Sequence, residues 1–247
     1  MVRGLFPVNE PMRYYPIFAD IVKRPCVVVG GGEVAERKVE SLLSAGGVVT
    51  VVSLKTTKRL KALEKEGVIT IVKRKYGKGD LKGAFLAVSA ADSKAANVAV
   101  YEEALERGIL VNVVDDPQHC NFIVPSVVDR GSLLIAISTS GLSPSLAKAI
   151  RLELEKTVGE EYGTFVEILG RVRNKLLKTG ANSVKKERVI NALVTSRIPQ
   201  WLKSNATRDI NRLLVSLMGP GYTLSRLGIR IPQGKKTGKP EKRTTGE

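Results

Sequence analysis

The sequence predicts an α/β protein in which a parallel sheet covered by crossover helices precedes a small α+β region and a helical C-terminal part. Two observations support this fold class. Between residues 25 and 115, short β-branched runs alternate with helix-like segments, which is typical of repeated βαβ units. The runs are apolar throughout instead of alternating, as expected for strands that helices bury on both faces.

Each element of the first half follows from a local pattern. The first strand, at 26–29, ends in three glycines, and the next segment places Ala35, Val39 and Leu42 on one helical face, with Gly46 where that helix ends. Asp92 or Ser93 is expected to cap a later helix that Gly108 ends. The other strands are predicted at 48–52, 68–72, 84–88 and 109–114.

The pattern changes after residue 117. Apolar runs at 122–128 and 133–138 flank a turn sequence, 129–132, so they are predicted to pair as an antiparallel hairpin. Ser143 and Pro144 are suited to open a helix. Apolar residues at helical spacing over 165–176 and 210–217 then predict a helical remainder. Residues 233–247 are so poor in apolar residues that we expect disorder there.

The composition excludes several classes of protein. The chain has 247 residues, 43% of them apolar and 26% charged, which fits a globular protein of one large domain or two small ones. No apolar run approaches the roughly 18 residues of a membrane helix, and the N-terminus lacks the apolar core of a signal peptide. We therefore expect a cytoplasmic protein. Cys26 and Cys120 suggest neither a disulfide framework nor a metal site.

The positive charge is unevenly distributed. Residues 1–116 hold 18 Lys/Arg and 14 Asp/Glu, a net charge of +4, whereas residues 117–247 hold 22 and 10, a net charge of +12. Such a field favours a polyanionic partner, which can be nucleic acid, an acidic membrane surface or a small molecule with several carboxylates. Charge alone does not choose among them.

A glycine-rich turn predicts a dinucleotide site. Gly30, Gly31, Gly32, Glu33, Val34 and Ala35 fit the pattern G-x-G-x-x-A directly after a strand and at the start of a helix. Gly30 permits the tight turn, Gly32 lets the backbone approach a pyrophosphate, and Ala35 lets the helix pack closely on the sheet. The alternative is a turn that only connects two elements. The complete βαβ context favours the Rossmann-type nucleotide site.

The end of the second strand leaves the choice of cofactor open. The acidic residue that commonly binds the ribose of NAD is replaced by Ser53, Leu54 and Lys55. Lys55 is compatible with the additional phosphate of NADP, whereas the Ser53 hydroxyl is compatible with a ribose. Spacing alone does not decide between NAD and NADP.

Candidate catalytic residues follow the fifth strand. Asp115 and Asp116 lie where ligand-binding groups collect in open α/β sheets, and an aspartate there can accept a proton while a hydride leaves the neighbouring carbon. Asp-Asp-Pro is equally good turn chemistry. His119, the single histidine, is a candidate substrate-binding residue. In one interpretation it is a second proton carrier or a metal ligand, and in the other it is a packing residue.

A hydroxyl-rich loop precedes the helix at Pro144. Ser138, Thr139 and Ser140 are suited to bind a carboxylate of the substrate at a helix N-terminus. Simple capping of that helix, for which Ser143 suffices, is the alternative. No cluster of residues with metal-ligand spacing is visible in the sequence.

Four ordered segments resemble one known family. VVVGGGEVAERKVESLLSAG (27–46), NVVDDP (112–117), NFIVPSVVDRG (121–131) and ISTSGLSPSLAKAIRLELE (137–155) are similar to the precorrin-2 dehydrogenase family, which is also the N-terminal part of siroheme synthase. The resemblance runs from about residue 15 to about residue 177.

The resemblance implies an enzyme that oxidises precorrin-2 to sirohydrochlorin with NAD, and in some members also inserts Fe²⁺. It implies a homodimer with an NAD-binding Rossmann domain (1–116), a dimerisation region (117–150) and a helical C-terminal domain (151–222). The rest of the chain, 223–247, is expected to form a disordered basic tail. Asp115 corresponds to the aspartate implicated in both steps, and the cofactor contacts correspond to Glu33, Val34, Leu54 and Lys55. Thr139 replaces a loop serine that is phosphorylated in some siroheme synthases.

The chemistry of the residues agrees with this resemblance. Precorrin-2 carries several carboxylates, which a basic second half would attract. A second hypothesis is a regulator that senses NAD(H) and binds nucleic acid through that basic half. Against it, the sequence has no recognisable helix-turn-helix or basic recognition helix, so nucleic-acid binding is not expected. The lack of a long apolar run means that no membrane association is expected either.

Overall fold

A parallel sheet organises the first half of the chain in the computed structural model, which describes residues 14–180 and 182–231. Its five strands lie in the order β3-β2-β1-β4-β5, so the chain order reverses between β1 and β4. The strands are β1 Pro25–Val29, β2 Val48–Val52, β3 Thr70–Val72, β4 Leu86–Ser89 and β5 Leu110–Val113; the helices between them are α1 Glu33–Ser44, α2 Lys58–Lys65 and α3 Lys94–Glu106. The predicted Rossmann-type α/β fold is confirmed.

Both faces of this sheet are buried, as the continuous apolar runs predict. Val28 and Val51 pack with Val39 of α1 on one face, whereas Val27 and Val111 pack with Val100 of α3 on the other face. Ser93 caps α3, since its hydroxyl accepts a hydrogen bond from the backbone N–H of Ala96 at 3.4 Å. Three strands are shorter than predicted or begin later, namely β3, β4 and β5.

The predicted strand at 122–128 is wrong in its first half. The side chain of Asn121 accepts from the N–H of Val111 at 2.7 Å and donates to the carbonyl of Ile109 at 2.9 Å, and Asn112 donates to the carbonyl of Phe122 at 3.2 Å. Residues 121 and 122 therefore follow the outer edge of β5. The strand of the hairpin begins at Ser126.

The second half begins with the predicted antiparallel hairpin. Strands β6 Ser126–Arg130 and β7 Leu133–Ile137 pair so that Arg130 lies opposite Leu133. The turn therefore consists of Gly131 and Ser132, and is tighter than the predicted four-residue turn. Helices follow: α4 Pro144–Thr157, α5 Glu161–Lys178, α6 Ser183–Val194, α7 Ile198–Lys203 and α8 Thr207–Met218.

The described chain divides into two compact units. The first runs to Pro125 and includes Ser138–Pro144, and the second contains Ser126–Ile137 and the chain from Ser145 onward. The predicted domain limits stay a prediction.

In the second unit, the apolar stripe of α5 packs on Ile210 and Leu214 of α8. This core also buries Leu224, Leu227 and Ile229. The start of the segment predicted as a disordered tail, 223–247, is therefore packed in the second unit, and the disorder predicted at 233–247 lies outside the described residues.

No helix in the described ranges combines the length and apolar character needed to cross a membrane.

Close packing of α5 on β6 gives a test of this core. A Cβ atom on Gly163 would clash with the carbonyl oxygen of Arg130, whereas a Cβ on Gly170, in the same helix, would meet nothing within 4 Å. We expect Gly163→Ala to lower the free energy of unfolding by about 1–3 kcal/mol. Gly170→Ala should be neutral or raise it by up to about 1 kcal/mol, because glycine is a poor helix former. Urea unfolding of both variants measures this, and equal stability of the two would contradict the packing.

Candidate functional site

A cleft of about 1100 Å³ lies in the first unit at the carboxyl ends of β1, β2 and β4. Its position is the place where strand order reverses, which is the usual ligand site of open α/β sheets. All the residues that the sequence predicts as cofactor contacts line it: Gly30, Gly31, Gly32, Glu33, Val34, Ser53, Leu54 and Lys55.

The glycine turn of this cleft is held against two neighbouring strands. Gly30 has a φ of 114° and donates from its N–H to the carbonyl of Val52 at 3.0 Å. A Cβ on Gly30 would clash with the carbonyl oxygen of Ala90, and one on Gly31 with that of Lys55. These two positions therefore require glycine because backbone approaches backbone.

Gly32 differs from the other two glycines because it faces open space. A Cβ there would meet nothing within 4 Å. Gly32 is also the N-cap of α1, and no side chain caps the helix at this end. The first N–H groups of a helix have no partner inside it and carry a partial positive charge. The turn thus has the room and the donors that a dinucleotide pyrophosphate needs.

The end of β2 forms the next part of the cleft wall. The hydroxyl of Ser53 donates to the carbonyl of Lys55 at 2.7 Å, which holds the short turn in which the Leu54 side chain is exposed. The hydroxyl oxygen of Ser53 remains an acceptor for a ligand. No carboxylate follows β2 at the cleft, as the sequence already indicates.

Sequence reasoning missed the loop that follows β3, residues 73–80, here called the β3 loop. Arg74, Lys75 and Tyr76 of this loop line the cleft. Arg74 donates to Asp80 at 2.7 Å, and this hydrogen bond holds the pKa of the Asp80 carboxyl below its ordinary value. The one available indication was that β3 is parallel to β2, so both must end at the same edge of the sheet.

The residues just before α3 and the first turns of α3 form a further part of the cleft wall. Ala91, Asp92, Ala95, Ala96 and Ala99 contribute small side chains and one carboxylate. The sequence prediction assigned this segment only to a helix and its cap.

Asp115 does not line the cleft. It is exposed just after β5, with a φ of 58°. The preceding residue, Val114, donates from its N–H to the carbonyl of Ser89 at 2.9 Å, which ties this end of β5 to the end of β4. On α1, burial lowers the pKa of the half-buried Lys38; Arg37 adds to this shift, and the charge of Asp115 opposes it.

Asp116 and His119 form a pair beside Asp115. The Nδ1 atom of His119 lies 2.7 Å from a carboxylate oxygen of Asp116, and the imidazole ring meets the ring of Tyr101 edge-on, with 5.0 Å between centroids. A carboxylate at Nδ1 favours the tautomer that leaves Nε2 as the acceptor. The predicted role of His119 in substrate binding stays a prediction.

In the hydroxyl-rich loop that precedes α4, two side chains accept hydrogen bonds from the backbone of the loop itself. Ser138 accepts from the N–H of Ser140, and Thr139 from the N–H of Ser143, both at 3.0 Å. Ser140 has a φ of 55°. The structure thus brings the predicted cofactor residues together and places Ser138, Thr139, Ser140 and His119 outside the lining of their cleft.

Acidic, histidine and cysteine side chains within 14–180 and 182–231 form no group of three or more that could hold a metal ion.

Comparisons with known proteins agree with this site. Residues 17–126 match a family model described as putative NAD(P)-binding, which confirms the predicted nicotinamide-dinucleotide domain. The chain is 37% identical over 206 residues to the siroheme synthase of Photobacterium profundum, covering 83% of this chain and 44% of that protein. It is 43% identical over 177 residues to siroheme synthase 1 of Pectobacterium atrosepticum, covering 72% and 37%. The chain therefore spans less than half the length of these curated relatives.

One solved structure resembles this chain over nearly the whole length of the solved protein. It is described as SirC, precorrin-2 dehydrogenase, and it is 25% identical with a TM-score of 0.70, covering 83% of this chain and 98% of that one. With the glycine turn, the cleft at the strand reversal and the sequence similarity, these findings show that the chain belongs to the family of precorrin-2 dehydrogenases and the matching part of siroheme synthases.

Proposed function

We propose that this chain oxidises precorrin-2 to sirohydrochlorin in siroheme biosynthesis, with NAD⁺ as the hydride acceptor. The observation that carries the proposal is the cleft of the glycine turn, in a chain that is similar to SirC over 98% of the length of SirC. The reaction removes a hydride and a proton from the substrate. The chain must therefore hold the hydride acceptor and supply a base.

The cleft supplies the binding groups for NAD⁺. The open space at Gly32 and the N–H groups at the start of α1 suit the pyrophosphate, and the hydroxyl of Ser53 suits a ribose. When bound, NAD⁺ supplies a two-electron acceptor that takes up a hydride. The resemblance to precorrin-2 dehydrogenases favours NAD⁺ over NADP⁺. Among the predicted cofactor contacts, only Lys55 is an argument for NADP⁺.

Asp115 is the proposed base. Its carboxylate is exposed and follows the point where β5 is bonded to the end of β4, the strand that borders the cleft. In this role Asp115 accepts the proton from the substrate carbon while the hydride leaves the neighbouring position. The α1 residue Lys38 lies close enough to interact with the charge of Asp115.

The second half supplies charge for a polycarboxylate substrate. Residues 117–231 hold 17 Lys/Arg and 8 Asp/Glu, a net charge of +9 within the described part of the chain. We propose His119, Ser138, Thr139 and Ser140 as polar contacts to the substrate carboxylates. A regulator that binds nucleic acid would use the same charge, but the likeness to a precorrin-2 dehydrogenase favours the small polyanion.

Insertion of Fe²⁺ into sirohydrochlorin is a second proposed activity of the same residues. Here Fe²⁺ is a substrate, and the pyrrole nitrogens of the macrocycle bind it in place of two N–H protons. Asp115 accepts these protons one at a time and passes each to solvent. A carboxylate suits brief contact with such a cation, because oxygen ligands exchange readily.

We further propose that the chain forms a homodimer through the β6–β7 hairpin. Val127, Leu134 and Ala136 are exposed on one face of this two-stranded sheet. A hairpin with an exposed apolar face gains stability when a partner covers it, and the resemblance implies that the partner is a second copy.

Gly32→Ala tests the pyrophosphate site separately from the fold. The added methyl group meets no protein atom but occupies the open space above the start of α1. We expect the Kd for NADH, measured by fluorescence titration, to rise at least tenfold while the thermal midpoint changes by less than about 2 °C. Gly30→Ala should instead lose stability, because its φ and the Ala90 carbonyl both exclude a side chain. Unchanged NADH affinity in Gly32→Ala would contradict the assignment.

Asp115→Asn tests the base. Asparagine tolerates the left-handed backbone conformation at this position, so the fold and NADH binding should persist. We expect sirohydrochlorin formation to fall by at least about 100-fold in an anaerobic absorbance assay with precorrin-2 and NAD⁺. Asp209→Asn, in α8 of the second unit, serves as the control. Turnover at the wild-type rate in Asp115→Asn would show that this carboxylate is not the base. The second activity is tested by assaying the same proteins with sirohydrochlorin and Fe²⁺.

Leu134→Lys tests the dimer. A charge on the exposed hairpin face should give a monomer of 26.8 kDa in light scattering after size exclusion, whereas the wild type should show twice that mass. Val184→Lys, at another exposed apolar position, should leave the mass of the wild type unchanged. A wild-type monomer, or a Leu134→Lys dimer, would contradict the proposed interface.

A further inference from the structure

One buried carboxylate in the first unit has no role in the reaction proposed above. Glu103, on α3, is 2% exposed. Burial of an unpaired carboxylate costs several kcal/mol, so such a group persists only where donors surround it. Glu103 lies on the same helix as residues that line the cleft, so its donors indicate which part of the cleft wall it holds in place.

Three donors converge on Glu103, and two of them belong to the β3 loop. Glu103 accepts from the hydroxyl of Tyr76, from the backbone N–H of Gly79 at 2.9 Å and from Nε of Arg107 at 2.7 Å. Burial alone would raise the pKa of Glu103, but the hydrogen bonds from these three donors outweigh it and the pKa lies below its ordinary value. Glu103 is thus an ionised anchor for the loop.

Tyr76 connects this anchor with the cleft. Tyr76 packs against the sheet core that contains Val52 and Leu81. It also lines the cleft together with Ala96 and Ala99 of α3. The hydrogen bond from the Tyr76 hydroxyl to Glu103 therefore fixes the position of a ring that lines the cleft. Because α3 supplies both Glu103 and Ala99, loop and helix form one continuous wall.

The other attachments of the β3 loop are different in kind. Arg74 and the N–H of Gly77 bind Asp80 within the loop itself. Lys78 binds Glu106 of α3 at 2.8 Å, with both side chains more than half exposed. Exposed ion pairs contribute little to stability, so Glu103 is the strong tie between the loop and α3.

We propose that Glu103 is a positioning residue for the dinucleotide: through Tyr76 and Gly79 it holds the β3 loop as a preformed wall of the cofactor cleft. This inference rests on the proposed function of that cleft. A preformed wall avoids the entropy cost of ordering the loop when the dinucleotide binds. Glu103 then affects binding of the dinucleotide and leaves the chemical step unchanged.

Glu103→Gln is the main test. The amide has one acceptor oxygen where the carboxylate has two, and its NH₂ group faces donors, so at least one tie to the loop is lost. We expect the KM for NAD⁺ and the Kd for NADH to rise about five- to tenfold, with kcat at saturating NAD⁺ within twofold of the wild type. Glu106→Gln, which removes only the exposed tie from the same helix to the same loop, should match the wild type.

Tyr76→Phe keeps the ring in the cleft wall and removes the hydroxyl that binds Glu103. It should raise the KM for NAD⁺ in the same direction by a smaller factor. In the double variant, the increase should be less than the product of the two single increases, because both changes break one connection. If Glu103→Gln does not fold, Tyr76→Phe decides the question by itself.

A purely structural role predicts another result. Both variants would then have lower thermal midpoints but the KM and Kd values of the wild type at a temperature where they are folded, and this outcome overturns the inference. Direct titration with NADH distinguishes a failure of this inference from a failure of the proposed function. A wild-type protein that binds no NADH contradicts the function itself, whereas wild-type binding with unchanged variants contradicts only the role of Glu103.

Discussion

The close approach of the β1–α1 turn to the ends of β2 and β4 is the constraint on which the rest of the site depends. At Gly30 and Gly31 the backbone of the turn lies against the carbonyls of Ala90 and Lys55, so no side chain larger than hydrogen fits. This contact brings three strand ends together and turns the start of α1 toward the space between them. The cleft is therefore formed by backbone geometry, and its side chains only adapt that geometry to a ligand.

The two halves of the chain use charge differently. The buried carboxylate of Glu103 is satisfied by three donors and so stabilises a single position of the β3 loop. Most of the excess cations, by contrast, lie in the second half of the chain, where Lys and Arg outnumber Asp and Glu about two to one. A satisfied internal charge gives rigidity, whereas an excess surface charge attracts a polyanion over distance. The proposed oxidation of a polycarboxylate needs both properties.

The sequence predicts the parts of the site that short local patterns encode. Glycine spacing after an apolar run identifies the turn at 30–34, and the strand that follows places 53–55 at the same edge. The β3 loop escapes such reasoning, because its position depends on a contact between Tyr76 and Glu103, which are 27 residues apart. The predicted start of the hairpin strand at 122 is wrong for a related reason. The side chain of Asn121 bonds to the backbone of β5, and residue patterns do not reveal side-chain hydrogen bonds of that kind.

A crystal structure of this chain with NAD⁺ bound tests the assigned cofactor site and the proposed base together. We expect the pyrophosphate over Gly32 at the start of α1, the adenosine ribose near Ser53, and the nicotinamide on the side of the cleft where β4 and β5 end, with the Asp115 carboxylate facing the same space. A nicotinamide ring directed away from the end of β5, with no room for a tetrapyrrole between it and Asp115, would contradict the role of Asp115 as the base.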